Sequence, residues 1–443
     1  MAKTFPKGGV HPSENKISAG KAIEVLALPK IVSIPISQHI GAPASPVVEK
    51  GDKIKVGTLI AKSSGFVSAN IYSSVSGTVA KIDNVMDSSG YKRTSVIINV
   101  EGDEWEESIE RSTNIQKQIN LNSEEIINKI LEAGIVGLGG ATFPTHVKLS
   151  LPKGKKADVL IINGVECEPY LTSDHQLMME KGDELIIGTK ILMKALNVDK
   201  AIIGIENNKP DAIKYMQKLA DNRLGIEIVK LKVQYPQGGE KQLIKACIKR
   251  EVPSGGLPID VGTVVHNVGT VYAVYEAVQK NKPLFERIVT VTGKSLVRPS
   301  NFLVRIGTSV RQLIEAAGGL PEDTGKVISG GPMMGKALNT IDIPVTKGTS
   351  GILIINKKEA KRYEIQNCIR CAKCVSVCPM GLEPYLLMQH AEKSDWEMLE
   401  KERALDCMEC GSCSYTCPSK RPLLDYIRLG KANIMRIKRE KQK

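Results

Sequence analysis

The sequence predicts a multidomain α/β protein, and three observations lead there. A chain of 443 residues is too long for a single hydrophobic core. Its middle third alternates helix-like and strand-like apolar periods, as layered α/β domains do. Eight of its ten cysteines crowd between Cys368 and Cys417, in a stretch whose flanking pattern is helical. The expected parcels are a β-rich module at 1–101, a linker at 102–122, an α/β domain at 123–287, a small β module at 288–354, a helical cysteine-bearing domain at 355–430 and a basic tail at 431–443.

In the first parcel, short β runs between Ile34 and Val100 are punctuated by Gly51-Asp52, Gly57 and Ser76-Gly77. The pattern resembles the barrel-sandwich fold of lipoyl and biotinyl domains. No lysine stands at the expected tip beside Ser76-Gly77, so a docking module is expected and not a modification site.

The α/β parcel opens with Asn122-x-x-Glu125, which can cap a helix whose apolar face is Ile126, Ile127, Ile130 and Leu131. Strands are expected at Val159–Ile162, Ala201–Ile205 and Ile226–Val233, with helices at Asp183–Leu196 and Asp211–Leu219. Between the first helix and first strand lies a glycine-rich loop from Gly134 to Lys148, containing Gly137, Gly139, Gly140 and Phe143. Clustered glycines let backbone N–H groups approach an anion, and Lys148 adds charge for a phosphate. The loop is neither a Rossmann turn nor a P-loop.

The first strand ends in Asn163-Gly164-Val165-Glu166-Cys167-Glu168-Pro169, where open α/β sheets bind ligands. Tyr235-Pro236-Gln237-Gly238-Gly239-Glu240 opens a helix, and Val264-Val265-His266-Asn267-Val268-Gly269-Thr270 begins another. After it, Val289–Gly293 and Phe302–Val304 read as strands, followed by a helix at Ser309–Ala317 and a Gly318-Gly319 turn.

The cysteine runs are Cys368-x2-Cys371-x2-Cys374-x3-Cys378-Pro379 and Cys407-x2-Cys410-x2-Cys413-x3-Cys417-Pro418. Each matches the bacterial ferredoxin run, in which three close thiolates hold one 4Fe-4S cluster and the fourth ligates the other. That rule puts Cys368, Cys371, Cys374 and Cys417 on one cluster and Cys407, Cys410, Cys413 and Cys378 on the second. Zinc is the competing ligand, but zinc modules usually space two C-x2-C pairs by a longer loop. The stretch Leu382–Arg403 between the runs reads as helical and is longer than a compact ferredoxin hairpin. Cys167 and Cys247 have no neighbouring ligand pattern and are expected to be free thiols.

Bulk properties exclude several classes. No apolar run approaches the roughly 18 to 20 residues that cross a bilayer, and the first residues lack the core of a secretory signal, so a cytosolic chain is expected. The net charge of +13 invites nucleic acid, but only 4% of residues are aromatic and no basic recognition helix or stacking platform stands out. Part of the charge sits in Arg428–Lys443, read as a solvated terminus or a contact for anionic lipid or an acidic partner.

Taken in order and spacing, the 134–148 loop, the Asn163–Pro169 element, the Gly238-Gly239-Glu240 turn and the Val264–Thr270 segment resemble the flavin-bearing, NADH-binding subunit of respiratory complex I. Adding Gly8-Gly9-Val10-His11-Pro12, Gly330-Gly331-Pro332-Met333-Met334-Gly335 and the two cysteine runs, the chain most resembles the C subunit of the Rnf complex over essentially its whole length. The module after residue 288 then resembles the soluble-ligand-binding β-grasp domain.

The resemblance implies that Gly137, Gly139, Gly140 and Lys148 hold the phosphate and ribityl chain of FMN, with Asn163 and Glu166 near its ring. It places Glu168 catalytically where nicotinamide meets flavin, Phe143 against the dinucleotide, and Glu240, His266 and Asn267 around the pocket. The chain departs from complex I at Leu138, Thr142, His146, Val165 and Leu149–Leu151, where Arg, Gly, Gly, Asp and an aromatic are usual.

The implied function is a peripheral subunit on the cytoplasmic side of a membrane-bound Rnf-type complex. It would exchange hydride between NADH and FMN and pass single electrons through two 4Fe-4S clusters, with ferredoxin as an indirect partner and no nucleic acid. A cobalamin-reductase-like flavoprotein and a non-catalytic electron-transfer module are the alternatives.

Overall fold

The computed structural model describes residues 2–220 and 225–441, and the last two residues of the expected basic tail lie outside that range. Within 31–102 the β runs close into two small antiparallel sheets. One orders Ile31–Pro35, Lys92–Gly102, Ser76–Met86 and Lys53–Ile54; the other orders Ser45–Pro46, Leu59–Lys62 and Ile71–Tyr72. Alternate residues Val32 and Ile34, Val96 and Ile98, with Ile60, Ile71 and Val79, fill the space between the sheets.

The α/β parcel is a four-stranded parallel sheet in the order Ile226–Leu231, Ala201–Glu206, Val159–Asn163, Thr263–Asn267. Its central strands are apolar on both faces because helices cover both. Leu160 and Ile162 join the larger core with the helices Ser123–Glu132, Gly182–Leu196 and Val268–Lys280. Val159 and Ile161 point the other way, to Leu243, Ile244 and Cys247 of the helix Glu240–Ile248. The Asn122 capping box forms as the sequence suggests. Val264–Thr270 is not all helix: Thr263–Asn267 is a strand, and Asn267 caps the helix that follows.

The module after 286 is a six-stranded mixed sheet flanked by the helix Val310–Ala316. Its edge strand, Ile23–Val25, pairs with Ser300–Arg305 and comes from the first parcel. The N-terminal parcel therefore also lends a strand to the sheet of a later module. Residues before 20 run as a strap across the α/β domain, where Lys3 pairs with Leu231 and Val10 with Tyr235, and onto the helical domain, where Gly9 N donates to Val377 O. Gly8 allows this passage: it sits at φ +72 and a Cβ there would meet the Cys378 backbone at 2.6 Å.

The C-terminal domain contains the helices Lys373–Ser376, Pro384–Glu392, Trp396–Lys401, Ser412–Thr416 and Leu423–Lys441. The last runs through the expected 430/431 boundary because Ile427, Gly430 and Ile434 bury one face, with Leu399 lying where a Gly430 side chain would go. The basic residues from Lys431 to Lys441 thus ride a helix. No described helix is long and apolar enough to cross a membrane.

Candidate functional site

The carboxyl ends of two neighbouring parallel strands, Val159–Asn163 and Thr263–Asn267, bring Asn163 and Asn267 side by side in register. The Asn163 amide donates to Gly238 O at 2.8 Å and so fixes the Gly238-Gly239 turn. Asn267 accepts from Gly269 N at 2.8 Å as a helix cap and donates to Asp174 Oδ2 at 2.7 Å. Asn267 underlies the glycine loop, while Asn163 underlies the Gly238-Gly239 turn.

That loop is closed at its base by Gly137 N donating to Phe143 O at 2.9 Å and by a bridge between Val136 and Pro144. Gly139 and Gly140 form its exposed tip. A Cβ on Gly139 would meet Asn267 Cβ at 3.2 Å, whereas one on Gly140 would meet nothing; Gly140 is needed for its φ of +123. Phe143 is half-buried beside the tip.

Lys148, one turn beyond, donates to Glu240 Oε1 at 2.7 Å and to Val265 O at 3.1 Å. An ammonium has three donors, so one remains for an incoming acceptor. His266 is buried beside it. Burial pushes its imidazole down to about 3, so it is neutral, and its Nε2 has no hydrogen-bond partner among the described residues. His146 is satisfied by Phe66 O at 2.9 Å and is structural.

Glu166 and Glu168 do not form a solvated acidic loop. Glu166, at φ +48, accepts from Asp174 N at 2.8 Å and His175 N at 3.2 Å, capping the helix Ser173–Glu180. Glu168 accepts from Met334 N at 2.8 Å and Met333 N at 3.1 Å, in the Gly330–Gly335 turn of the mixed-sheet module. Burial raises its carboxyl to about 6 against those stabilising N–H groups. Glu168, expected where nicotinamide meets flavin, thus has its carboxylate held by the Met333-Met334 turn.

Residues that the sequence did not flag hold this loop. Lys16 of the strap donates to the carbonyls of Glu166, Glu168 and Leu171 at 2.8, 2.9 and 2.7 Å. Lys209, 2% exposed, donates to Val165 O at 2.8 Å. Lys347, 1% exposed, donates to Asn70 O and Gly134 O at 2.8 Å each, tying three modules together at the root of the glycine loop. Burial lowers Lys347 to about 7. Asp174 is raised by its own burial and by the nearby Glu166 charge. Lysines serving backbone carbonyls leave no motif, which is why pattern reading passes over them.

The cysteines fall into two groups. Cys378 lies with Cys407, Cys410 and Cys413 around one apolar cavity beneath Leu387 and Ile427. Cys374 and Cys417 share a second cluster of side chains with Met388 and Leu423, next to Cys413. Cys368 and Cys371 are exposed, whereas Cys410 and Cys413 are buried. The thiols around that cavity come from both cysteine runs, as the dicluster pattern requires.

The two halves of the site meet at Tyr235. Its hydroxyl lies 2.8 Å from Cys410 O and 3.4 Å from Glu168 Oε1, and its ring packs with Val10, Cys167, Met333 and Met408. Cys167 Sγ accepts from Gly238 N at 3.3 Å and Cys247 is buried in the sheet core, so both have packing roles.

The residues present fit a flavin mononucleotide: an exposed glycine tip with open backbone, a lysine with a spare donor, two strand-end amides and an unpartnered buried imidazole. Comparison with known proteins agrees. Residues 3–103 match the family described as RnfC barrel sandwich hybrid domain, 130–276 the Nuo51 FMN-binding domain, 288–337 the SLBB domain and 362–421 the 4Fe-4S dicluster domain. The C subunit of the proton-translocating ferredoxin:NAD(+) oxidoreductase complex of Clostridium ljungdahlii is 49% identical over 97% of this chain and 93% of its own. Its counterpart in the Na(+)-translocating ferredoxin:NAD(+) oxidoreductase complex of Acetobacterium woodii is 44% identical, over 98% of each. The C subunit of an ion-translocating oxidoreductase complex of Rhodobacter capsulatus is 40% identical over 88% of this chain and 76% of its own. A crystal structure of NAD+-reducing [NiFe]-hydrogenase shares the fold at TM-score 0.50 and 19% identity, over 70% of this chain and 62% of that one, less than two thirds of its length.

Proposed function

Because the chain belongs to the family of C subunits of ion-translocating ferredoxin:NAD+ oxidoreductase (Rnf) complexes, we propose that it is the NADH-side electron-transfer subunit of such a complex. It is an oxidoreductase subunit with an FMN site and two 4Fe-4S sites, and the other subunits of the complex are its partners. Bound flavin and clusters supply the conversion between hydride and single-electron transfer.

The chain's own residues hold and orient. We assign Gly137, Gly139, Gly140 and Lys148 to the flavin phosphate side, and Asn163, Asn267, His266 and Glu240 to the pocket's floor and wall. Phe143 lines the dinucleotide approach. Glu166 shapes the loop by capping the helix behind it. Glu168 acts by joining that loop to the Met333-Met334 turn. The crossed thiol sets, Cys368, Cys371, Cys374 with Cys417 and Cys407, Cys410, Cys413 with Cys378, ligate the clusters. The mixed-sheet module is a β-grasp domain, the cysteine domain an α-helical ferredoxin, and the subunit sits peripherally on the cytoplasmic face of the membrane.

The observation that carries this reading is the hydrogen bond from Tyr235 to Cys410: the turn leading to Gly238–Glu240 of the flavin pocket directly supports a cluster-ligand loop. The test is anaerobic purification followed by iron, sulfide and flavin analysis, then titration with NADH. Eight irons and one flavin per chain, with flavin bleaching before cluster reduction, are expected. A flavin-free chain carrying intact clusters would establish the non-catalytic module instead. Glu168→Gln, which weakens the joint to the Met333-Met334 turn, should keep flavin and clusters while changing the rate of flavin reduction by NADH; unchanged kinetics would show that this joint does not position the NADH site.

A further inference from the structure

Two equivalent positions in the cysteine runs carry opposite charges. Arg370 follows Cys368 by two residues and Glu409 follows Cys407 by two, and both stand in the left-handed region, at φ +55 and +60. Arg370 is exposed to solvent. Glu409 is clamped: Lys431 Nζ lies 2.7 Å from its Oε1, and Arg428 Nε lies 3.1 Å from its Oε2. Arg428 and Lys431 are three residues apart on the helix Leu423–Lys441 and so share one face.

The clamp reaches the ligand loop at two points. Lys431 Nζ also donates to Cys407 O at 2.6 Å, and the Glu409 backbone N donates to Cys407 Sγ at 3.4 Å. Its far end is anchored, since Arg428 Nη2 donates to Met334 O at 3.2 Å in the turn that Glu168 holds. The Lys431 side chain is 20% exposed and that of Arg428 29%, so water and salt screen these charges only in part. Two cations meet one anion here, and one positive charge is left over beside a cysteine ligand.

We propose that Lys431, held in place by Glu409, is a positioning residue that raises the reduction potential of the cluster built on Cys407, Cys410 and Cys413. One-electron reduction adds one negative charge at the cluster and breaks no bond, so a fixed cation beside its ligands favours the reduced form. Glu409 acts the other way: it offsets part of the positive charge, and without it the potential climbs further. Opposite signs from two residues in contact mark an electrostatic role, because a contact that only supported the loop would act in one direction. The inference rests on the cluster reading above and names the side chains that tune one of the two clusters.

The test is an anaerobic redox titration of the holoprotein followed by EPR, with the signal of this cluster assigned by its loss in Cys410→Ala. Lys431→Met should lower the midpoint by about 59 mV, a roughly tenfold fall in the reduced-to-oxidised ratio at a fixed poise. Lys431→Arg, which keeps the charge, should stay near wild type. Glu409→Gln, which keeps the shape and removes the anion, should raise the midpoint. The cluster built on Cys368, Cys371 and Cys374 should not move, and iron and flavin contents should match wild type. Unmoved midpoints in both Lys431→Met and Glu409→Gln overturn the proposal, as does a shift of the two in the same direction. If Lys431→Met sheds its cluster, Glu409→Gln decides alone: an upward shift supports the proposal and any other result overturns it. A wild type without iron, or a Cys410→Ala variant that keeps both signals, would overturn the cluster reading itself, a separate result from two intact clusters that ignore Lys431.

Discussion

Tyr235 places its hydroxyl 2.8 Å from the backbone oxygen of Cys410, and the residue is only 2% exposed, so a side chain of the flavin-bearing domain completes the hydrogen bonding of a cluster-ligand loop. Removing the hydroxyl strands a buried carbonyl, which costs about 1–3 kcal/mol. Tyr235→Phe should therefore lower the thermal unfolding midpoint and alter the EPR signal of one cluster while leaving flavin content intact. Loss of flavin with unaltered cluster signals would show that Tyr235 serves the pocket and not the cluster.

The cavity shared by Cys378, Cys407, Cys410 and Cys413 sets a second expectation. Cys378→Ala should deplete the cluster built on the later cysteine run although the substitution lies in the earlier one. Power-saturation EPR on the reduced protein distinguishes the two, and selective loss at Cys368, Cys371 and Cys374 would reject the crossed ligation.

Gly140 occupies a backbone conformation at φ +123 that a β-branched residue does not tolerate. Gly140→Val should release FMN, with iron content near normal, because the strain acts on the loop tip while the cysteine domain lies outside it. Full flavin occupancy in that variant would take the tip out of the site.

Lys347 gives a pH dependence whose sign can be worked out. Its folded pKa of about 7 lies below the ordinary 10.5, so the unfolded chain binds the proton more firmly between those values. Stability from this group therefore rises as pH increases from about 7 toward 10.5, by up to roughly 1.4 kcal/mol per pH unit. Lys347→Met lacks that rise. The unfolding midpoint of the variant relative to wild type should be highest near pH 6 and fall steadily to pH 9; a constant difference would mean that the ammonium is not desolvated in the fold.

Much of this was legible because it is written in local patterns. Asn122 and Glu125 announce a capping box, the α/β strands are continuous apolar runs, and the cysteine spacing announces a 4Fe-4S dicluster domain without reference to tertiary structure. The missed parts share a different cause. Ile23–Val25 joins a sheet whose other strands begin after residue 286, and no local period can report a partner that distant. Lys16, Lys209 and Lys347 act on carbonyls, which every residue possesses, so nothing in their neighbourhoods marks them. Glu168 shows the limit of reading a role from position alone: its place at a strand end was plain, but the direction of its carboxylate depends on Met333 and Met334, far along the chain.

The strap also governs how the protein is completed. Residues 8–10 leave the ribosome long before Val377 and Tyr235, yet their backbone groups pair with both. Lys3, Val10 and Lys16 find their partners within the α/β domain, whereas the hydrogen bond from Gly9 to Val377 O must wait for the cysteine domain, so the first residues of the chain are seated by segments made at two different times.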